Sequence, residues 1–526
     1  MKLSKSKIFF VFFLLLLFVK TDYRLVESIY CCKDDHDYYA HAETLSLDFD
    51  FDYSNQLIGH EKDRFFFNGK SAPTAFFGSG FLASPFLLIG NLLDKNLSNS
   101  SLYNFKILFY SFSSIFYLFL SFYILSKIKV LADSKINTYL IYLYLLGSGV
   151  GYYSFERYSM SHIYEVFTIL LVIFYSMKFF DENNYKSNIA FIIPLLILLS
   201  IVTRWVNLYV LFIPMIVRLL LYKNSKKIIY SKKFQTSIFI SILLFCLHSY
   251  LIYGVVTFSP EFVYGTSGTL DRFVNNESSF SEFIFNNIIN LFKLLFGQEF
   301  GLLWFSPIVF FGVYLQIKGF FLNKGFKLKM VYLIGLLSFL QIFALILIWK
   351  APGSSYGFRY ALNLAPISIL FLISSNFTNR IELTLLKYLS IFSFFSVLFF
   401  ETTQGTQLSL EYGFNSFGKY TKFVQPEYLT GYISSFFELE AYLKIFAQSY
   451  LGLFFFSSIL LFLEIDDLTN FLAKFSDAAY NSDLQLLFYK IIKINYYKIV
   501  LSILILFLLA YFLVKITNNV EKINKQ

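Results

Sequence analysis

The chain has 526 residues, of which 57% are hydrophobic and only 15% are charged, and its mean hydropathy is +0.60. A soluble domain carries about 25% charged residues, so this composition excludes an ordinary soluble protein. The net charge is +10, but the lysines lie in short clusters between apolar runs. That distribution is typical of membrane-protein loops rather than of nucleic-acid binding, so no nucleic-acid partner is expected.

The N-terminus carries Lys2, Lys5 and Lys7 ahead of an apolar stretch over residues 8–19. No small-residue cleavage site follows this stretch, so it predicts an uncleaved first membrane helix rather than a removed signal peptide. A spanning helix needs about 20 mainly apolar residues. The chain offers about 13 such segments, which predict an all-α polytopic membrane protein. They lie near residues 7–20, 103–126, 138–154, 161–178, 188–203, 206–222, 235–256, 301–317, 330–349, 361–375, 384–401, 446–463 and 499–515.

The short pair at 188–222 is interrupted at residues 203–205, so it is either two spans or one re-entrant pair. Basic loops stay on the cytoplasmic side, which places the N-terminus inside. Alternation then predicts inner loops at 127–137, 178–187, 223–234, 318–329, 376–383 and 464–498. One feature disagrees: the tail after Lys515 falls outside although it carries Lys522 and Lys525.

The outer side then holds the segments 20–102, 257–300, 350–360 and 402–445. The first and a middle one are long enough to hold interfacial helices, and residues 286–296 have the apolar spacing of such a helix. We divide the chain into a catalytic module at 1–401, which includes the first outer loop at 20–102, and a C-terminal region at 402–526. The C-terminal region combines an outer loop with the last two membrane helices and is a candidate for acceptor selection.

The first outer loop is unusually acidic. Seven carboxylates lie between residues 34 and 52, in the runs Asp34, Asp35 and Asp37, then Glu43, then Asp48, Asp50 and Asp52. A carboxylate near an apolar boundary holds a proton more tightly and serves as a general base. A solvated acidic loop, or a divalent-cation site built on Asp-x-Asp-x-Asp, explains the same residues equally well.

Cations that would suit an anionic leaving group lie on the same predicted side. Arg204 occupies the break between two apolar segments, and Lys350 and Arg359 lie in an outer segment with Gly353 and Gly357. Phosphate favours such side chains, although snorkelling to lipid headgroups is the alternative for each arginine.

His162 opens an apolar run three residues before Glu165, which places both on one helix face. A structural hydrogen-bonding role is the alternative to a catalytic one. The sequence has neither a His-x-Glu-x-x-His zinc pattern nor a glycine-rich phosphate loop.

Five motifs in this order resemble the bacterial relatives of the dolichyl-phosphate-mannose–protein mannosyltransferases, which are membrane glycosyltransferases of type C (GT-C). The resemblance covers residues 1–375. The matching segments are Asp35–Tyr39 with Leu45 and Asp48–Asp50, Gly78–Phe86, Met160–Tyr164, Gly301–Pro307, and Trp349–Tyr360.

The resemblance implies GT-C-like architecture and transfer of a sugar, with inversion, from a polyprenyl-phosphate donor to a glycan, lipid or protein acceptor. It implies a bacterial cytoplasmic membrane with the site facing outside. The base carries over to Asp35, with Asp34 second. The other first-loop candidates are Asp37, Tyr38, Tyr39, Asp48 and Asp50, and the candidates for donor-phosphate binding are Arg359, Arg204, Lys350 and His162. The resemblance names no definite cofactor, and the Asp-x-Asp run allows a divalent cation without demanding one.

Two other functions fit a polytopic chain. A transporter or lipid flippase is one, although such proteins usually carry charge in mid-helix and a repeated half structure. A polymerase or ligase that moves whole lipid-linked oligosaccharides is the other. A non-catalytic scaffold explains the acidic and basic outer residues least well.

Overall fold

The computed structural model describes residues 12–19, 33–58, 66–97, 105–181, 187–222, 231–263, 301–339, 364–374, 380–400, 450–463 and 496–523, except residues 68, 156, 259 and 323. It also describes some residues between 285 and 297, between 433 and 449, and at 341 and 362.

Helices make up most of this part of the chain, which confirms the predicted helical class. In chain order they are α1 Lys33–Glu43, α2 Gly78–Leu97, α3 Phe105–Leu131, α4 Thr138–Leu145, α5 Gly151–Phe155, α6 His162–Phe180, α7 Ser187–Thr203, α8 Ile213–Leu221, α9 Lys232–Tyr253, α10 Pro260–Val263, α11 Leu302–Phe305, α12 Pro307–Leu322, α13 Phe326–Gly335, α14 Leu364–Ser374, α15 Arg380–Phe400, α16 Tyr450–Leu463 and α17 Tyr496–Ile523. An antiparallel pair, β1 Phe66–Phe67 and β2 Lys70–Ser71, forms a small hairpin.

Five helices are long and apolar enough to cross a membrane, judged by length and composition. They are α3, α6, α9, most of α15 and the residues Tyr496–Thr517 of α17. Five further apolar helices are shorter, at 10–17 residues. Every predicted apolar segment overlaps described helical residues, but the count of about 13 spans stays a prediction, because many of these helices are too short to cross alone.

Two breaks shorten the helices. Arg204 is extended, at φ −158° and ψ 121°, between α7 and a 3₁₀ turn at Trp205–Phe212, which confirms the interruption predicted there. Between α4 and α5 the chain forms a π-helical turn at Leu146–Val150, in which Gly149 has φ 91°. A positive φ of this kind is open to glycine at little cost.

The first loop folds onto one end of the bundle, which we call the Asp35 end. The ring of Tyr39 in α1 packs edge-on against Tyr110 of α3, at 5.1 Å between centroids. α2 runs antiparallel to α3, because the Asp94 carboxylate accepts hydrogen bonds from the backbone nitrogens of Phe105 and Lys106 at 2.8 and 2.9 Å. The helices predicted in this loop are therefore present, and their place at a membrane surface stays a prediction.

Close helix packing in the loop depends on glycine. A Cβ at Gly80 would lie 2.7 Å from the Ala42 backbone nitrogen of α1, and one at Gly78 would lie 2.6 Å from the Thr203 backbone nitrogen of α7. Real Cβ atoms do not approach so closely, so these two positions let α2 sit directly against α1 and the end of α7.

The middle outer segment also contains helical residues at the predicted place, since residues 288, 289, 291, 292 and 294–296 have helical backbone. Phe292 and Phe296 are exposed, whereas Leu294 is buried. An apolar exposed face of this kind agrees with the predicted amphipathic segment.

The direction of α17 corrects one prediction. Lys498, near its start, interacts electrostatically with Asp94 at the Asp35 end. Near its other end, the Thr517 hydroxyl lies 3.0 Å from that of Tyr142, whose hydroxyl bonds to Ser126 near the far end of α3. α17 therefore runs parallel to α3, and the expectation that Lys498 lies in an inner loop is wrong.

This direction of α17 also explains the basic tail after Lys515. The end of α17 lies with the predicted inner loops, where basic residues are expected. Phe12 in the N-terminal segment packs against Phe122 and Tyr142, so it also lies toward the end opposite Asp35. The N-terminal segment and the end of α17 therefore both lie at the end of the bundle opposite Asp35.

Candidate active site

Asp35 lies in the first turns of α1 and is completely buried. Its Oδ2 forms an ion pair with Nη2 of Arg157 at 2.9 Å, and its Oδ1 accepts a hydrogen bond from the Ser159 hydroxyl at 2.5 Å. Both partners belong to the turn between α5 and α6. Burial of a carboxylate is costly unless it is paired and hydrogen-bonded, and these two contacts meet that requirement.

Backbone hydrogen bonds hold the α5–α6 turn in shape. The Arg157 nitrogen donates to the Tyr152 carbonyl, and the Met160 nitrogen donates to the Arg157 carbonyl. The ring of Tyr158 packs edge-on against Tyr110 of α3 at 5.9 Å. The turn and α1 therefore pack against the same helix, α3. This shared contact brings Arg157 and Ser159 close to Asp35.

A second buried ion pair follows directly along the chain. Nη1 of Arg204 lies 3.0 Å from Oε2 of Glu165 and 3.2 Å from Nδ1 of His162. Glu165 is fully buried and His162 nearly so. The same Oε2 lies 3.4 Å from His162 Nδ1, so the break at Arg204 is held against the first turn of α6.

These two ion pairs form one polar cluster, because the short segment from Arg157 to Glu165 contributes to both. It supplies the cation that faces Asp35 and the carboxylate that faces Arg204. Of the predicted site residues, Asp35, His162 and Arg204 are thus brought to the same end of the bundle. Chemically, the cluster offers a carboxylate for proton transfer and a guanidinium fork that matches phosphate geometry.

The neighbouring first-loop candidates have structural contacts. Asp37 is buried, and its Oδ2 accepts hydrogen bonds from the Thr74 nitrogen at 3.2 Å and the Thr74 hydroxyl at 2.6 Å. The Tyr39 hydroxyl donates to Glu43 at 3.4 Å, and Tyr38 is half-buried against the core. The contacts of Asp37 with Thr74 fasten α1 to the following loop, and the ring of Tyr39 fastens it to α3.

His41 provides a further anchor for α1. Its Nδ1 lies 2.6 Å from the Tyr53 hydroxyl and its Nε2 lies 2.7 Å from the Ala75 carbonyl oxygen. The carbonyl accepts only, so Nε2 carries the proton and Nδ1 accepts from Tyr53. Burial lowers the pKa of His41 to about 4, against a raising effect of the Ala75 carbonyl and a further lowering effect of His248. His41 is therefore neutral at pH 7.

The second acidic run folds as a hydrogen-bonded surface loop. Oδ2 of Asp48 accepts from the amides of Asn55 and Gln56 at 3.0 and 2.5 Å, while Asp50 accepts from the Asp52 backbone nitrogen at 3.1 Å. These side chains are exposed, as expected for a solvated acidic loop. Within the described ranges, no three His, Cys, Asp or Glu side chains are placed to share a metal ion.

Three predicted residues lie beyond this description. Arg359 and Lys350 fall outside the described residues, and so does the side chain of Asp34, although its backbone belongs to α1. Their convergence on the cluster stays a prediction.

The sequence reasoning did not assign a role to Arg157, Ser159 or Glu165. Arg157 precedes an apolar run just as Arg204 does, so the argument made for Arg204 applies to it equally. Ser159 carries no such signal, because a serine is common in every part of this chain.

Comparisons of the chain with protein-family models, with curated proteins and with solved structures found no match. Function is therefore inferred from the site residues themselves.

Proposed function

We propose that this protein is a polytopic membrane glycosyltransferase with GT-C-like architecture, which moves one sugar from a polyprenyl-phosphate donor to an acceptor outside a bacterial cytoplasmic membrane. The observation that carries the proposal is the buried Asp35, held by Arg157 and Ser159 at the bundle end where Arg204 also lies. Transfer of a sugar from a lipid phosphate requires a base and a phosphate-binding cation on the same side of the membrane protein.

In the proposed reaction, Asp35 takes the proton of the acceptor hydroxyl. The hydroxyl oxygen forms a bond to the anomeric carbon, and the bond from that carbon to the phosphate oxygen breaks on the opposite face, with inversion. The electron pair leaves with the polyprenyl phosphate, and Arg204, with His162, Lys350 and Arg359, stabilises its charge.

The hydrogen bond from Ser159 to Asp35 is the contact that the acceptor hydroxyl replaces in the proposed reaction. A serine hydroxyl rotates freely and both donates and accepts, so the acceptor hydroxyl can take the place of Ser159 on Oδ1 while Arg157 keeps Oδ2 in position. Arg157 is then a positioning residue for the base.

The test is transfer of radiolabelled sugar from polyprenyl-phosphate donors by the purified protein in proteoliposomes. Asp35→Asn, alone and with Asp34→Asn, is expected to lower transfer at least 100-fold, within the range of lost general-base catalysis. Asp52→Asn, an exposed carboxylate of the same loop, is the matched control and keeps wild-type transfer. Undiminished transfer by the double variant would contradict the assignment of Asp35 as the base.

A lipid flippase or transporter is the second candidate, and the buried Glu165–Arg204 pair favours it, because ionisable residues within apolar helices mark transport pathways. An assay of lipid flipping separates the two: a flippase moves donor lipid without an Asp35 requirement and makes no glycosidic bond. The length of the product in the transfer assay separates single-sugar transfer from oligosaccharide polymerisation or ligation.

A further inference from the structure

Several buried polar atoms near the second ion pair lack hydrogen-bond partners among the described residues, and three of them belong to side chains that point to a ligand. These three are Oε1 of Glu165, Oδ1 of Asn207 and Nε2 of Gln341. Glu165 and Asn207 have no exposed surface. Buried polar atoms in native proteins are nearly always satisfied, if not by the chain then by water or a ligand.

A chain of contacts joins the three residues. Glu165 binds Arg204 through its other oxygen, and Arg204 is immediately followed by the 3₁₀ turn that contains Asn207. In the same turn, Tyr209 interacts electrostatically with both Glu165 and Arg204. The Tyr209 backbone nitrogen donates to Oε1 of Gln341 at 3.2 Å. These contacts connect the three residues to Arg204 as one polar region.

The other polar atoms of these residues are already used, which fixes their orientation. The Asn207 amide nitrogen donates to the Ser200 carbonyl at 3.0 Å, so its oxygen is turned away as an acceptor. Gln341 uses its oxygen on Tyr209, so its nitrogen is left as a donor. Glu165 uses Oε2 on Arg204 and His162, so Oε1 is left as a charged acceptor.

We propose that Glu165, Asn207 and Gln341 bind the hydroxyl groups of the sugar carried by the donor lipid and select a neutral or amino sugar over a uronic acid. The inference rests on the proposed function. Two acceptors and one donor match sugar hydroxyls, which both donate and accept. The negative charge of Glu165 accepts strongly from a hydroxyl or an ammonium group and repels the carboxylate of a uronic acid.

The experiment measures binding to the full-length protein in nanodiscs. The probes are undecaprenyl phosphate alone and undecaprenyl phosphate that carries glucose, galactose, mannose, an amino sugar or galacturonate. We expect at least one neutral or amino sugar to tighten binding about tenfold over the bare lipid phosphate, the gain expected for a hydrogen bond to a charged acceptor. We expect galacturonate to bring no gain.

The ratio of sugar-lipid to bare-lipid affinity within one variant isolates the sugar contacts from the phosphate contacts. Glu165→Gln should reduce this ratio about tenfold and weaken discrimination against galacturonate. Gln341→Glu keeps the oxygen that accepts from Tyr209 and replaces only the donor nitrogen, so it should also lower the ratio. This variant provides the test if Glu165→Gln does not fold. The control is Gln235→Glu, the same change at an exposed glutamine in α9, which leaves the ratio unchanged.

The two proposals fail in different ways. If bare undecaprenyl phosphate binds but no sugar improves its affinity, the region holds only water and the sugar site is overturned while the proposed function stands. If bare undecaprenyl phosphate does not bind, the proposed function fails and the sugar site fails with it. Tighter binding of galacturonate than of every neutral or amino sugar also overturns the inference.

Discussion

Asp35 and Arg157 form a buried ion pair of 2.9 Å across 122 positions of the sequence. The contact fastens the first loop to the α5–α6 turn, and it gives the candidate base a fixed orientation. Because a buried charge without its partner is strongly unfavourable, this one contact couples the stability of the loop to the geometry of the site.

The coupling predicts a non-additive pair of substitutions. Arg157→Gln should lower the free energy of unfolding by about 3–5 kcal/mol, because it leaves Asp35 buried without its cation. Asp35→Asn in the same chain should restore part of this loss, with a coupling of about 0.5–3 kcal/mol. Chemical denaturation of the detergent-solubilised protein measures both.

A more exposed ion pair is the control for that cycle. Lys106 and Glu43 lie 3.1 Å apart with side chains 27% and 24% exposed, so Lys106→Gln should cost about 1 kcal/mol or less. An equal cost at Arg157 and Lys106, or no rescue by Asp35→Asn, would contradict the prediction.

Packing of α2 predicts a large effect of a single methyl group. Gly80→Ala should destabilise the protein by about 1–3 kcal/mol, because the new Cβ meets the α1 backbone at Ala42. Gly325→Ala is the matched control, since nothing lies within 4 Å of a Cβ there. Thermal unfolding of the two variants tests the difference, and equal melting temperatures would show that α2 does not pack as described.

His41 predicts a stability change in mild acid. Its folded-state pKa of about 4 lies below the ordinary value of 6.5, so between these values the unfolded chain binds more protons. Stability is therefore full above about pH 6.5 and falls toward pH 4, by about 3 kcal/mol at most. Protonation places a hydrogen on Nδ1, where the ring now accepts from Tyr53.

Denaturation midpoints of the wild type and of His41→Gln between pH 4 and pH 8 isolate this contribution, because carboxylates titrate alike in both proteins. The difference in stability between the two proteins should shrink as the pH falls. A difference that stays constant over this range would mean that His41 is not the residue responsible.

The direction of α17 predicts that both chain termini lie on the side opposite Asp35. In a background with Cys31, Cys32 and Cys246 replaced by serine, Asp52→Cys should react with a membrane-impermeant maleimide in intact spheroplasts. Lys522→Cys should react only after permeabilisation. Labelling of Lys522→Cys in intact spheroplasts would show that the tail lies on the outer side. That result would contradict the parallel arrangement of α3 and α17.

Local features of the fold followed from local sequence. Apolar runs predicted where helices lie, because an apolar helix surface needs lipid or a core to cover it. The interruption of the apolar run at residues 203–205 predicted the break between α7 and the following turn. The acidic first loop supplied the candidate carboxylates, among which the family resemblance favoured Asp35. These inferences use neighbours along the chain, so a single sequence suffices for them.

The sequence by itself determined the helical class, the position of most apolar helices and the concentration of candidate site residues in the loop that carries Asp35. Only the tertiary structure decided that Arg157 is the partner of Asp35, that Glu165 is the partner of Arg204, and that α17 runs parallel to α3. Each of these depends on which helices pack together and in which direction. Hydropathy is the same for a helix that points either way, and an ion pair across 122 positions leaves no periodic signal in the chain.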